Sequence, residues 1–211
     1  FSFFLIIHHF NLIIMPTLEQ WGPATWTLFH CLAAKLHPES FTVIGKQLLF
    51  FFIQIAGCLP CPECTVHAKA FFAKLNHSLI CSSIHLQNML YAFHNIVNRR
   101  KIKPLFNHSF LCSTYEKMHI ITVLDNFFRF FHTRGNLSMI SDSFHRQRVL
   151  LHFRRWLRGN ISQHFSVAPF SSTFSSTYNN LPTISKDSQY TASSVKLLLD
   201  GNKEITETGD T

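Results

Sequence analysis

Glycine and proline are scarce, with 7 and 8 residues in a chain of 211. So few breakers exclude a many-turned all-β fold and favour helices. No glycine-rich phosphate loop occurs anywhere, which excludes a dinucleotide site of the strand–loop–helix kind. No repeat is visible. Acidic residues number 11 against 19 Lys and Arg, a formal charge of +8. That excess suits an anionic ligand, a nucleic acid or an acidic surface without choosing among them. Segment 1–14, FSFFLIIHHFNLII, has no Lys or Arg. It falls short of the roughly 20 apolar residues that span a bilayer. It also lacks the basic start and small-residue cleavage site of a signal peptide. The chain begins with Phe, and Met15 is expected to be the true start, with 1–14 as upstream translation. A weak membrane-directed leader is the rival reading.

What is present is aromatic and helical. There are 23 Phe, and the length suffices for one domain with a core. In the predicted helix 18–36, Trp21, Trp26, Phe29, Leu32, Ala33 and Leu36 fall at helical spacing, and His37-Pro38 ends it. A second helix, 42–57, is apolar nearly all round, as a buried helix is, and Gly57 is placed to stop it. Pro62 opens a third, 61–75, since proline's missing N–H has no partner in a first turn anyway. Further helices are expected at 83–101, 115–132 and 142–158. After Gly159, Ser, Thr and Asn dominate through Asn180, and 166–211 reads as mostly disordered.

Three of the 6 cysteines, Cys58, Cys61 and Cys64, cluster in one short stretch that continues to His67. Clustering of that kind points to redox or metal chemistry. Residues i and i+3 of a helix have Cα atoms roughly 5 to 5.5 Å apart, within reach of a disulfide. Cys61 and Cys64 can therefore pair, and Cys61 at a helix start is placed to be a stabilised thiolate. The same steps of three resemble iron–sulfur spacing, and Cys58, Cys61, Cys64 and His67 also make a four-ligand zinc set. A continuous helical stripe of about 14 Å would not wrap one tetrahedral ion. A reduced cysteine-rich helix start is the plainest alternative.

Trp26 and His30 stand at i and i+4 and share a helix face. Tyr91, His94, Asn95 and Asn98 share a side of the fourth helix by the same spacing. An aromatic ring with nearby His and Asn can stack on an adenine and bond its edge. Arg99, Arg100, Lys101 and Lys103 follow and could meet a diphosphate. Singly, each of these residues is more often an ordinary core or surface group.

Together, the runs Trp21-Gly22-Pro23-Ala24-Thr25-Trp26…His30, Pro60-Cys61-Pro62-Glu63-Cys64…His67 and His94-Asn95-Ile96-Val97-Asn98 carry a resemblance. They resemble W-G-P-x-x-W-x-x-x-H, P-C-x-x-C-x-x-H and H-N-x-V-N of the Erv/Alr sulfhydryl oxidases. The order is the same, and the compact forms of large nucleocytoplasmic DNA viruses look most similar. The resemblance implies an all-α fold: a four-helix up-down bundle with a short fifth helix, here with an extra C-terminal helix and a disordered tail. It implies FAD as cofactor and a homodimer. It implies Cys61 and Cys64 as the catalytic pair, Cys61 exchanging with substrate and Cys64 against the flavin. Gly22, Trp26, His30, His67, Tyr91, His94, Asn95, Val97, Asn98, Lys101 and Lys103 are the cofactor-binding residues implied, with His67 near the ring system and Lys103 near the phosphates.

The departures from the family are specific. No second C-x-x-C shuttle follows, since no cysteine lies beyond Cys112. Substrate then reaches Cys61 directly, or Cys31, Cys81 or Cys112 acts as a relay. Cys81 and Cys112 bracket the fourth helix, but their spacing fits the family's structural disulfide poorly. Cys31 follows a flavin-facing His and is expected to be a buried free thiol. Arg146, Arg148, Arg154, Arg155 and Arg158 read as a solvated face on a helix whose Val149, Leu150, Phe153 and Leu157 pack inward, with a docking surface for an acidic partner as the rival.

The expected organisation is an apolar leader over 1–14, the oxidase domain over 15–113, a helical extension over 114–160 and a tail over 161–211. The expected function is an FAD-dependent thiol oxidase that takes electrons from protein dithiols through the Cys61–Cys64 disulfide and passes them to O2, giving H2O2. No nucleic-acid partner, metal or stable membrane insertion is expected. The compartment is the host cytoplasm or virion if the protein is viral, and otherwise the intermembrane space or secretory pathway. The alternative function is a non-enzymatic helical module with a cysteine-centred metal site and a basic nucleic-acid-binding surface.

Overall fold

The computed structural model describes residues 16–131 and 140–167; of Cys112 and Ile140 it describes only the backbone. The expectations for the leader, and for the tail beyond Val167, lie outside these residues. Seven α-helices follow in order: α1 (Leu18–Lys35), α2 (Lys46–Ala56), α3 (Pro62–Ala73), α4 (Ser83–Arg100), α5 (Leu111–Tyr115), α6 (Ile120–Phe130) and α7 (Ile140–His164). Among the described residues there is no β-strand, only an isolated bridge between Leu36 and Phe165. The chain is all-α, as its sequence predicts.

The helix limits have local causes. A wide π turn, Phe41–Gly45, leads into α2. A Cβ on Gly45 would stand 2.5 Å from the ring of buried Phe41, so this glycine is required by a close approach. Pro62 is the first residue of α3, with Cys61 as its N-cap. Ser82 caps α4, its Oγ accepting from the His85 N–H at 3.1 Å. At the other end of α4, the N–H groups of Ile102 and Lys103 return to the carbonyls of Arg99 and Asn98. That pattern needs a left-handed residue, and glycine normally supplies it. Here Ile102 does so at φ 53°, with its side chain 95 % exposed. For a β-branched residue the cost is about 1–2 kcal/mol.

The helix expected over 115–132 is interrupted. α5 stops at Tyr115 and α6 starts at Ile120. In between, buried Lys35 from the last turn of α1 donates from Nζ to the Glu116 carbonyl at 2.7 Å. A tertiary hydrogen bond thus takes an acceptor that a continuing helix would have used. The last helix runs past its expected end at 158 to His164. Gly159 in its interior costs about 1 kcal/mol relative to Ala. Contacts beyond it favour continuation: His37 N donates to the His164 carbonyl at 3.0 Å, Ser166 N donates to the Lys35 carbonyl at 2.9 Å, and Phe165 is buried.

α1 packs against α4, α5 and α6, while α2 packs against α3 and α7. One apolar core joins them, running from Leu28 and Phe29 through Phe52 and Phe93 to Phe127, Phe153 and Phe165. α6 and α7 therefore share the core of the first four helices. The 19-residue stretch Pro38–Ala56 is long and apolar enough to cross a bilayer. In this fold Leu48, Leu49, Phe52, Ile55 and Ala56 of α2 are buried against the other helices.

Candidate functional site

A cavity of ≈ 330 Å³ opens between the start of α1, the α2–α3 loop, α3, the second half of α4 and the segment after it. Gly22, Pro23 and Trp26 of α1 line it, as do Cys64 and His67 of α3 and His94, Val97 and Asn98 of α4. Arg100, Lys101 and Lys103 supply cationic groups. Nine expected site residues thus meet in one place: Cys64, Gly22, Trp26, His67, His94, Val97, Asn98, Lys101 and Lys103.

Helical periodicity explains the α4 face, since His94, Val97, Asn98 and Lys101 are three and four residues apart. Trp26 stacks on His94 with ring centroids 4.1 Å apart and planes 6° from parallel. Phe93 braces Trp26 edge-on at 5.1 Å and stacks on Phe71 at 4.4 Å. The aromatic wall is therefore fixed from behind by the core.

Besides Cys61, described below, three expected residues do not line the cavity, each for a physical reason. His30 is 1 % exposed behind the wall, where its Nε2 lies 3.1 Å from His94 Nδ1 and its ring stacks on Tyr115 at 4.7 Å. Asn95 clamps the chain after α4. Its Nδ2 donates to the Phe106 carbonyl at 3.0 Å, and its Oδ1 accepts from the Phe106 N–H at 2.8 Å. Tyr91 is buried with Phe106, Leu111 and Tyr115 in a small second core. All three sit one layer back. Leu59, Phe93, Phe106 and Tyr115, which sequence reasoning missed, line the cavity. Nothing in their local spacing marks them, because long-range packing brings them there.

His30 and His94 are both held neutral. Burial pushes His30 well below its usual range of about 6.5. It pushes His94 down to about 3, with Lys103 adding to the effect. One ring then donates the shared hydrogen bond and the other accepts it. His30 Nδ1 is buried without a hydrogen-bond partner. Such a group costs about 1–3 kcal/mol and is the kind of local deficit that functional sites carry. The folded values are depressed, so the unfolded chain takes up protons first as pH falls. Stability should be fully present above about 6.5 and decline towards the folded value of about 3. His94 contributes a loss of about 1.4 kcal/mol per pH unit over that window, and His30 acts in the same direction. The thermal midpoint should be lower at pH 5 than at pH 7.5, and the drop should shrink in His94→Gln. An unchanged drop would place the acid sensitivity elsewhere.

Cys61 and Cys64 form a disulfide, with Cα atoms 5.2 Å apart. Cys64 lines the cavity and Cys61 does not. Cys61 Sγ accepts the Cys64 N–H at 3.2 Å, so charge developing on that sulfur meets a helix N-terminus. His67 Nδ1 donates to the Glu63 carbonyl at 2.7 Å. The other cysteines divide clearly. Cys31 is fully buried, and burial pushes its thiol up to about 12. A relay needs access and thiolate character, so this placement does not suit Cys31 to that role. Cys58 is buried too, its thiol pushed up to about 11. Cys81 is exposed, 3.2 Å from His85 Nδ1. The α7 arginines also divide, because Arg146, grouped by its sequence with a solvated face, is 3 % exposed. Among the described residues no group of three or more His, Cys, Asp or Glu is placed to hold a metal ion.

Comparison with known proteins converges on the same segment. The Erv1/Alr family profile matches residues 23–120. The 347L protein of Invertebrate iridescent virus 6 is 32 % identical over 97 residues, 42 % of this chain and 86 % of that protein. The FAD-linked sulfhydryl oxidase of a Kenyan African swine fever virus isolate is 32 % identical over 104 residues, 49 % of this chain and 87 % of the relative. The mitochondrial FAD-linked sulfhydryl oxidase erv1 of Schizosaccharomyces pombe is 28 % identical over 104 residues, 49 % of this chain and 55 % of the relative. No solved structure matches the chain significantly. The viral matches cover nearly the whole of those relatives, and the matched stretch carries both the Cys61–Cys64 disulfide and the aromatic, cation-rimmed cavity beside it: this chain belongs to the Erv1/Alr family.

Proposed function

We propose that the chain is an FAD-linked sulfhydryl oxidase working at this cavity. One observation carries the reading: Cys64 of the Cys61–Cys64 disulfide lines the same cavity as the Trp26–His94 stack and three cationic side chains. The residues fit the cofactor. Flat aromatic walls accept ring systems, and Arg100, Lys101 and Lys103 match a diphosphate.

A substrate thiolate attacks Cys61 Sγ, forming a mixed disulfide and releasing Cys64 as a thiolate at the cavity wall. A second substrate thiol, as thiolate, displaces Cys61, completing the substrate disulfide and leaving both cysteines reduced. The Cys64 N–H stabilises the charge on departing Cys61, as its 3.2 Å contact with that sulfur permits. Bound FAD would supply the two-electron acceptor for the reduced cysteines and the onward path to O2, giving H2O2. Trp26, His94, Val97 and Asn98 would hold the nucleotide. Gly22 would leave room at the start of α1, His67 would stand near the ring system, and Lys101 and Lys103 would serve the phosphates. His30 and Asn95 act through His94 and the 102–106 segment, and Tyr91 supports that segment from the second core.

Substrates are protein dithiols, and the working form is a homodimer without a nucleic-acid partner or stable membrane insertion. The compartment is one where disulfides form, with the host cytoplasm or virion favoured by the viral relatives. The functional unit runs from α1 to Phe165, because α6 and α7 contribute to the shared core.

The test is cofactor binding. Purified protein should hold one non-covalent FAD per chain and be yellow. His94→Ala or Asn98→Ala should weaken FAD binding about tenfold, the value of one lost stacking or hydrogen-bonding contact. Exposed His152→Ala should have no effect. Colourless protein after refolding with FAD, or equal losses in all three variants, would sink the reading.

A further inference from the structure

Arg146 lies outside the matched family segment, on α7. Its guanidinium reaches the active-site loop, where Nε donates to the Cys58 carbonyl at 2.6 Å and Nη2 to the Leu59 carbonyl at 3.0 Å. At 3 % exposure it is one of only two buried cationic side chains among the described residues. The two carbonyls lie just past Gly57, the C-cap of α2, where acceptors have no helical partner and a cation meets the negative end of the helix. Leu59 lines the cavity, and Pro60 and Cys61 follow directly. From the other side, Thr65 Oγ1 lies 3.4 Å from the Leu59 carbonyl and 3.1 Å from the Cys61 carbonyl.

We propose that Arg146 is a positioning residue for the redox pair: by holding the Cys58 and Leu59 carbonyls it sets where Cys61 stands at the start of α3 and how readily the Cys61–Cys64 disulfide is reduced. The inference rests on the Proposed function only in taking Cys61–Cys64 as the exchanging pair. α7 itself is held independently, by Val149, Phe153 and Leu157 in the core and by Trp156 Nε1 donating to Gln47 Oε1 at 2.7 Å. Arg146 is thus carried on a rigid element and reaches the loop with a planar fork of donors, which lysine does not reproduce. Releasing the two carbonyls frees three residues of backbone next to the nucleophilic sulfur. A misplacement of about 1 Å in such a position costs up to about a hundredfold in rate.

The experiment compares Arg146→Met, Arg146→Lys and Leu157→Ala in the full chain. Leu157→Ala loosens α7 without touching the loop. Two readouts are used. The first is the dithiol–disulfide equilibrium of Cys61–Cys64 in dithiothreitol buffers, followed by thiol alkylation, which does not depend on flavin. The second is FAD-dependent turnover of dithiothreitol. Arg146→Met should shift the equilibrium about tenfold and slow turnover at least as much, while Leu157→Ala leaves the equilibrium unchanged. Arg146→Lys should fall between wild type and Arg146→Met, and it carries the comparison alone if Arg146→Met does not fold. An unchanged equilibrium in the Arg146 variants, or an equal shift in Leu157→Ala, overturns the proposal. Wild-type protein that exchanges with dithiothreitol but shows no flavin turnover would sink the oxidase reading and leave the equilibrium test of Arg146 standing.

Discussion

Cys61→Ser and Cys64→Ser should each abolish dithiol turnover, yet their flavin spectra should differ. Without Cys61, the remaining Cys64 is free at the cavity wall, where a thiolate beside an electron-poor ring gives a long-wavelength charge-transfer band. Without Cys64, Cys61 is left outside the cavity lining, and no band should appear. Turnover fails in both because the electron pair can enter only through a closed disulfide. The loss should reach background, several orders of magnitude, as expected when one member of a unit acting together is removed. A band in Cys64→Ser and none in Cys61→Ser would reverse the assignment of exchanging and flavin-side cysteines. Cys58→Ser should keep its activity, because Cys58 is buried and its Sγ lies 3.6 Å from the Ile55 carbonyl, its thiol pushed up to about 11. Activity lost in Cys58→Ser but kept in Cys64→Ser would move the redox pair one helical turn, to Cys58–Cys61.

The largest stability effect should come from α7. Phe153 is fully buried, with Phe51, Phe127, Phe128 and Trp156 around its ring at 5.3 to 6.3 Å. Phe153→Ala should cost about 3–5 kcal/mol, transfer and cavity together. That is a large share of the roughly 5–15 kcal/mol that holds an ordinary domain folded. Chain length tests the same point. Ending the chain after Gly159 removes Phe165 and the backbone bonds that His164 and Ser166 make to His37 and Lys35. Ending it after Val167 removes none of these. The first truncation should lower the thermal midpoint and the flavin content, and the second should change neither. Equal midpoints for the two would mean that the end of α7 adds nothing to the fold.

These outcomes turn on a division between what is local and what is distant in the chain. Helix order, the disulfide-competent spacing of Cys61 and Cys64, the opening of α3 at Pro62 and the α4 face of His94, Val97 and Asn98 follow from periodicity, caps and i, i+3 or i+4 geometry. All of these interactions lie within one helix turn, so the sequence determined them by itself. Partners distant in the chain do not appear in a local pattern. Tertiary structure alone decided that Lys35 ends α5, that Asn95 clamps Phe106, that His30 stands behind His94 and that the helix passes through Gly159 to dock Phe165. Arg146 is the clearest case. Among its arginine neighbours it reads as solvent-facing, yet a loop 88 residues away has two carbonyls that no helix satisfies. A buried acceptor must be paired, and the fold puts the buried Arg146 cation against the Cys58 carbonyl and the half-buried Leu59 carbonyl beside it.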